Sequence, residues 1–169
     1  MRRGSFAEFV VSSVDACARI PPGLGFDEAA SLPLAGLTAL QALRDLMHPG
    51  PGSTALIHGA SGGVGTLAIQ IAKALGARVV TTSSARNQAL CRSLGADEAL
   101  DYAATEPRDR PLSPARRFDA VFDVFGNLAF DVVRPVLAPR GVFVSTVPSP
   151  RILRDLARTL LTRGPRARL

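Results

Sequence analysis

The sequence predicts an α/β fold built on a doubly wound parallel sheet of roughly five strands, and three observations predict it. Short apolar runs rich in β-formers alternate with amphipathic runs at helical spacing. One apolar run passes directly into a glycine-rich turn that opens a helical run. Aromatic residues make up only 5% of the chain and Trp is absent, so the core must be built from Ala, Val, Leu and Ile. That mix suits helices laid on a buried parallel sheet.

The elements follow in order. Residues 6–14 are apolar and β-prone and read as a strand, one that needs a partner sheet. Ile20-Pro21-Pro22-Gly23 is a turn. Asp27 and Glu28 can cap a short helix that Pro33 interrupts. From Gly36, the spacing of Leu37, Leu40, Leu43 and Leu46 predicts a further amphipathic helix, closed by Pro49-Gly50-Pro51-Gly52. Ala55-Leu56-Ile57 is a first sheet strand. Val64, Leu67, Ala68, Ile71, Ala72 and Leu75 form one apolar helical face, and Gly76 ends that helix. Val79-Val80-Thr81-Thr82 is a second strand. A helix over 87–94, closed by Gly95, and a short strand at Ala99-Leu100 come next. Residues 103–117 read as a polar, Pro-rich surface loop. The remaining expectations are a strand over 118–123, a short helix over 127–137 limited by Pro135 and Pro139, a strand over 141–146 and a helix over 152–161. The chain is expected to fray after Gly164. No internal repeat is present.

With 169 residues the chain has room for one ordinary domain with a full core. Its 47% apolar and 20% charged residues are those of a globular protein, not a disordered one. The net charge is +6, and Lys73 is the only lysine among 20 basic residues. Arginines cluster at Arg2-Arg3, over 108–117 and over 151–168. Such a balance fits an anionic ligand as well as nucleic acid, but no aromatic side chains interleave with the arginines, as a single-strand binder would want. Cys17 and Cys91 form no disulfide framework, and with His48 and His58 they lack the spacing of a zinc site. His58, at a strand end, reads as a satisfied core histidine. Neither a signal peptide nor a run of about 18 apolar residues is present, so no membrane association is expected and the location expected is cytoplasmic.

The glycine loop Gly59-Ala60-Ser61-Gly62-Gly63-Val64-Gly65 carries the chemistry. A pyrophosphate is a diffuse dianion, and a helix N-terminus points unpaired N–H groups and a partial positive charge at it. Gly62 and Gly63 give the backbone clearance, Gly65 allows tight helix–strand packing, and Ser61 adds a hydroxyl. The position after a strand and before an amphipathic helix makes dinucleotide binding the reading of this loop. Two parsings are open. Ala60-x-Gly62-x-x-Gly65 is the usual fingerprint with its first glycine replaced. Gly59-x-x-x-Gly63-x-Gly65 is the spacing of short-chain dehydrogenases, whose Tyr and Lys four residues apart cannot exist here, because Tyr102 and Lys73 are the only residues of their kinds. After the second strand, Thr82-Ser83-Ser84-Ala85-Arg86-Asn87 holds no acid to bind a ribose 2′-hydroxyl. Hydroxyls and a guanidinium suit a 2′-phosphate, so NADP(H) is favoured over NAD(H).

Taken together, residues 30–39, the loop from His58 to Gly65, Ser93-Leu94-Gly95-Ala96-Asp97-Glu98 and residues 119–126 resemble the medium-chain dehydrogenases/reductases. The similarity is to the zinc-independent quinone oxidoreductase (zeta-crystallin-like) branch. The resemblance implies a Rossmann-type domain over 26–164, a remnant of a GroES-like barrel over 1–25 with residues 6–14 as its last strand, a missing sixth sheet strand and a frayed tail over 165–169. It implies roles by position. Thr38 would lie near the nicotinamide end. Ser61, Gly62, Gly63 and Val64, with Ala60 and Gly65 framing them, would hold the pyrophosphate. Ser84 and Arg86 would meet the 2′-phosphate, Tyr102 the adenosine, Asn127 the adenine ribose, and Thr146 the nicotinamide side. The implied activity is NADPH-dependent hydride transfer to a quinone, enone or similar carbonyl compound, without zinc. No catalytic acid, base or metal ligand is identifiable. The alternatives are an inactive dinucleotide-binding module and a cofactor-sensing or nucleic-acid-binding protein. Partners in view are the small-molecule substrate, a second copy, or a separate chain supplying the catalytic domain.

Overall fold

A computed structural model of the chain describes residues 7–105, 116–147 and 164–168. Six strands form one parallel sheet: β1 (Thr54–His58), β2 (Arg78–Ser83), β3 (Glu98–Asp101), β4 (Phe118–Asp123), β5 (Leu137–Ser145) and β6 (Arg166–Arg168). Their order is β3-β2-β1-β4-β5-β6. The chain therefore winds outward from β1 in one direction through β3, then crosses back to β4 and winds the other way. This is the doubly wound order with its switch point between β1 and β4.

Strand alternation explains the two faces. Ala55, Ile57, Val79, Ala120, Phe122 and Val144 point into one buried cluster with helices α1 (Phe26–Leu40) and α2 (Gly63–Ala74). Their neighbours Leu56, Val80, Val121 and Phe143 point to the other face, against Phe130 and Val133 of α5 (Phe130–Val133). Both faces are covered, so the strands read as continuous apolar runs rather than as apolar–polar alternation. Helix α2 buries Ala68 and Ala72 of the expected apolar face, and Ile69 beside them, while Val64, Leu67, Ile71 and Leu75 of that face are partly buried against the same cluster. Burial of the Ile69 side chain alone is worth about 2 kcal/mol. At its end Gly76 takes φ +88°, donates to the Lys73 carbonyl oxygen at 2.9 Å, and Ala77 donates to Ala72 at 3.1 Å. This is the left-handed glycine cap expected from the sequence.

Several expectations are corrected. Residues 7–13 form no strand. Phe9 and Val11 are more than nine-tenths exposed, and among the described residues no strand lies beside them. Pro33 does not interrupt the first helix, which runs through it from Phe26 to Leu40 and continues as a π-helical turn over Gln41–Met47. Pro33 lies on an exposed stretch, residues 30–34, and the one bond it removes is that to the Ala29 carbonyl. The helix expected over 127–137 is reduced to α5 and a 3₁₀ turn over Arg134–Val136, and β5 begins already at Leu137. The helix expected over 87–94 is present as α3 (Gln88–Ser93), with Asn87 and Leu94 as its caps and Gly95 beyond it at φ 108°; a 3₁₀ turn at Ala85–Asn87 precedes it, and a short helix α4 (Tyr102–Thr105) opens the segment expected to be a loop. The sixth strand is present. β6 pairs with β5 through Ala167 opposite Phe143, where the tail was expected to fray. The helix expected over 152–161 lies outside the described residues. Among the described residues, no helix is long and apolar enough to cross a membrane.

Candidate cofactor-binding site

In a parallel sheet every strand ends on the same side, so the loops after β1, β2, β4 and β5 gather at one rim. The glycine loop leaves β1 at this rim. Gly59 takes φ +77°, and the Phe125 ring covers it so closely that a Cβ would lie 2.5 Å from Cδ2. Gly59 thus serves the turn and the aromatic ring packed on it. Ala60 is fully buried, and its N–H donates to the Thr82 carbonyl oxygen at 3.1 Å. Gly62 caps α2 with extended dihedrals and no side chain. The first N–H groups of a helix have no partners within it, and here no side chain caps them. A Cβ on Gly63 would meet nothing within 4 Å, and one on Gly62 only the Gly59 carbonyl oxygen at 3.7 Å. The corner is open. By contrast a Cβ on Gly65 would come within 2.6 Å of the Ala60 backbone. The three glycines therefore divide the work as the usual fingerprint does: two leave room for a ligand and one lets the helix reach the strand. The Ala60-x-Gly62-x-x-Gly65 parsing describes the loop.

Ser61 accepts a hydrogen bond from Asn87 Nδ2 at 3.1 Å, which ties the loop to the turn after β2 and leaves the serine its own hydroxyl hydrogen to donate. That same turn carries Ser84, partly buried, and Arg86, exposed and without an ion pair among the described residues. Tyr102 stands exposed just past β3. Val64 is half-buried in the first turn of α2.

Across the switch point, the loop after β4 is built by Asp123. This residue is fully buried, yet its carboxylate accepts the Gly126 N–H at 2.8 Å and the Leu128 N–H at 2.9 Å. Burial pushes its pKa up, opposed by those N–H groups. Between Gly126 and Leu128 the loop presents Asn127, whose Oδ1 lies 2.8 Å from His58 Nε2. The other imidazole nitrogen, Nδ1, lies 2.6 Å from Thr82 Oγ1. His58 is buried with both nitrogens partnered, as its position at a strand end leads one to expect. Thr146 is half-buried at the end of β5, where its hydroxyl donates to the Val124 carbonyl oxygen at 2.9 Å. Thr38 donates back to Leu34 within α1 at 2.7 Å; its hydroxyl is engaged in its own helix, which packs on α2 where Gly36 faces Leu67.

The structure thus brings Ala60, Ser61, Gly62, Gly63, Val64, Gly65, Ser84, Arg86, Asn127 and Thr146 to one rim, with Tyr102 at its β3 end and Thr38 on the helix behind. Sequence reasoning missed Asn87, Asp123, Phe125 and Thr82. Each acts through a partner distant in sequence, so no local pattern marks it. Among the described residues no three His, Cys, Asp or Glu side chains converge on a point where a metal could sit.

An open glycine corner at the head of a helix, at the switch point of a doubly wound parallel sheet, defines a dinucleotide-binding domain of the Rossmann class. The family described as zinc-binding dehydrogenase matches residues 63–150, and the chain belongs to it, within the quinone oxidoreductase branch of the medium-chain dehydrogenases/reductases. The chloroplast envelope quinone oxidoreductase homolog of Arabidopsis thaliana is 40% identical over 155 residues, which is 89% of this chain and 47% of that protein. The structure of the quinone oxidoreductase from Coxiella burnetii superposes with a TM-score of 0.69 at 38% identity, over 86% of this chain and 45% of that one. The quinone oxidoreductase of Thermus thermophilus, solved also as a complex with NADPH, gives a TM-score of 0.66 at 32% identity, over 88% of this chain and 47% of that one. The chain spans about half the length of the relatives it matches.

Proposed function

We propose that this chain binds NADP(H) and forms the cofactor half of an oxidoreductase that transfers hydride to a quinone, enone or similar carbonyl compound. One observation carries the reading: the uncapped N-terminus of α2, with Gly62 and Gly63 open to solvent at the carboxyl end of β1. A dianionic pyrophosphate placed there gains from the helix dipole and from main-chain N–H groups at the same time.

When bound, the nicotinamide supplies the hydride. The chain's own residues bind and orient it. The backbone of 62–64 would hold the pyrophosphate, with the Ser61 hydroxyl as an added donor. Ser84 and Arg86, on the turn after β2, supply a hydroxyl and a guanidinium for a 2′-phosphate, which favours NADP(H) over NAD(H). Tyr102 would border the adenosine, Asn127 a ribose, and Thr38 and Thr146 the nicotinamide end. The relative solved with NADPH supports the same preference.

The reading assigns no zinc to this chain. It assigns residues 1–25 to a catalytic domain, residues 26–168, with β6 included, to the cofactor domain and the location to the cytoplasm. It further proposes that the substrate pocket is completed by a second copy or by another chain. The test is an assay of reduced-nicotinamide consumption with quinone and enone acceptors, alongside binding. Binding of NADPH without turnover would favour the alternative, an inactive dinucleotide-binding module. Salt-dependent retention on DNA without cofactor binding would favour a nucleic-acid-binding protein instead.

A further inference from the structure

The buried chain of hydrogen bonds at the switch point has a direction, and that direction sets what Asn127 can offer a ligand. The Asn127 atom facing His58 Nε2, at 2.8 Å, is the carbonyl oxygen Oδ1. A carbonyl oxygen only accepts, so Nε2 carries the imidazole hydrogen. In a neutral imidazole the other nitrogen is then an acceptor, and Thr82 Oγ1, 2.6 Å from Nδ1, must donate to it. The polarity runs Thr82 O–H to His58 to Asn127. It turns the Asn127 side-chain oxygen toward His58 and leaves its NH₂ group as the end that faces away from the relay.

Both anchors of this relay are fixed from below. Thr82 is fully buried on β2. Asn127 is held between Gly126 and Leu128, whose N–H groups both bind the Asp123 carboxylate. The loop joins β1 a second time through Val124 N–H, which donates to the His58 carbonyl oxygen at 3.1 Å. Asn127 itself stands at the exposed rim.

We infer that His58 is a positioning residue that orients the Asn127 amide with its NH₂ group toward the bound dinucleotide, so that Asn127 donates to an acceptor oxygen of the cofactor, on ribose or phosphate. The inference rests on the cofactor reading above and specifies the chemistry of one contact within it. An asparagine free to rotate would serve an acceptor and a donor equally. One whose oxygen is turned toward His58 discriminates between them.

Two measurements on the 169-residue chain test it. The first reads the tautomer without any cofactor. His48→Asn leaves His58 as the only histidine, and asparagine tolerates the left-handed backbone of position 48, where φ is 51°. A long-range proton–nitrogen correlation spectrum of the imidazole then shows the hydrogen on Nε2. A hydrogen on Nδ1 overturns the polarity, because Asn127 would have to present its NH₂ group to His58. The second is calorimetric titration with NADPH. Asn127→Leu and Asn127→Asp each lose about tenfold or more in affinity, the size of one hydrogen bond left unmade, while thermal melting shows both variants folded. Leucine removes the donor without adding charge, so a loss confined to the aspartate variant, or unchanged binding in the leucine variant, overturns the proposal. A wild-type chain that binds neither NADPH nor NADH overturns the cofactor reading and this inference together. Binding combined with the Nδ1 tautomer overturns this inference alone.

Discussion

The α-carbon of Gly65 lies so close to Ala60 that a Cβ there would sit 2.6 Å from the Ala60 Cα, carbonyl carbon and carbonyl oxygen. Both sides of this contact are main chain, and Ala60 is anchored in turn to Thr82. Gly65→Ala must therefore push α2 away from β1. Overpacking of this kind costs about 1–3 kcal/mol, to be read as a lowered urea midpoint, and NADPH binding falls with it as the first turn of α2 moves. Gly63→Ala separates the two roles. Its methyl meets nothing within 4 Å, and alanine is the better helix former. Stability is expected to hold or rise while NADPH affinity drops, because the methyl occupies the proposed phosphate space.

Arg86→Ala should weaken NADPH by about 1–3 kcal/mol and leave NADH nearly unchanged, as for loss of a charged hydrogen bond. The side chain is exposed and makes no ion pair among the described residues, so the fold does not depend on it. Parallel calorimetric titrations with the two cofactors check this. Equal losses would count against the 2′-phosphate role.

Asp97 ties α2 to β2. Its carboxylate accepts the Val79 N–H at 2.7 Å and pairs with Lys73 Nζ at 2.9 Å. First the Val79 N–H and then the lysine hold its pKa below the ordinary carboxylate value. A carboxyl group with a depressed folded-state pKa stabilises the fold above its unfolded pKa, and that contribution is lost as pH falls through the folded value. Wild-type stability should accordingly decline below about pH 4. Asp97→Asn should cost about 1 kcal/mol at neutral pH, chiefly because a neutral amide oxygen accepts the Val79 N–H less strongly than a carboxylate does, the partly exposed ion pair being worth little. Urea melts from pH 3 to 7 would show the variant losing less on acidification than the wild type; parallel declines would contradict the assignment.

Asp123 carries the opposite sign. Burial raises its pKa, so the folded state binds its proton more tightly than the unfolded chain does. The protonation-linked stability is fully present below the unfolded pKa and is lost as pH rises through the folded one. Carbon-detected titration of the Asp123 carboxyl should give a midpoint above the ordinary value of about 3.9. Asp123→Asn keeps the shape but offers one acceptor to two N–H donors, Gly126 and Leu128, and should destabilise by about 1–3 kcal/mol. A midpoint at or below the ordinary value would refute the burial argument.

Legibility in the sequence followed the range of the interaction. The strands β1, β2 and β4, the glycine loop and the apolar face that includes Ala68 and Ala72 are written in local periodicity and in the turn chemistry of Gly76, and they lie where expected, whereas the buried Ile69 falls outside the face that periodicity marks. Pro33 misled, because its cost depends on what surrounds the affected carbonyl, which periodicity does not report. β6 was illegible: a three-residue Arg-Ala-Arg run has no apolar pattern, and its place is set by Ala167 packing beside Phe143. Residues 7–13 looked β-prone and are not a strand, because strand formation needs a neighbour. At the site, main-chain contacts were legible from the glycines. The Thr82–His58–Asn127 relay was not, since it joins residues 24 and 69 positions apart.

The central claim is that bare main-chain N–H groups at the head of α2 receive a pyrophosphate, and Gly62→Asp tests it most directly. Gly62 is the N-cap of α2, with dihedrals that any residue adopts and a Cβ position 3.7 Å from its nearest neighbour. Aspartate is a favoured N-cap, better than glycine by a few tenths of a kcal/mol, so the variant should melt at or above the wild-type temperature. Its carboxylate would occupy the anion's place, and calorimetric titration with NADPH should show binding to the wild type and none to the variant. Undiminished NADPH binding by the folded Gly62→Asp chain would contradict the account.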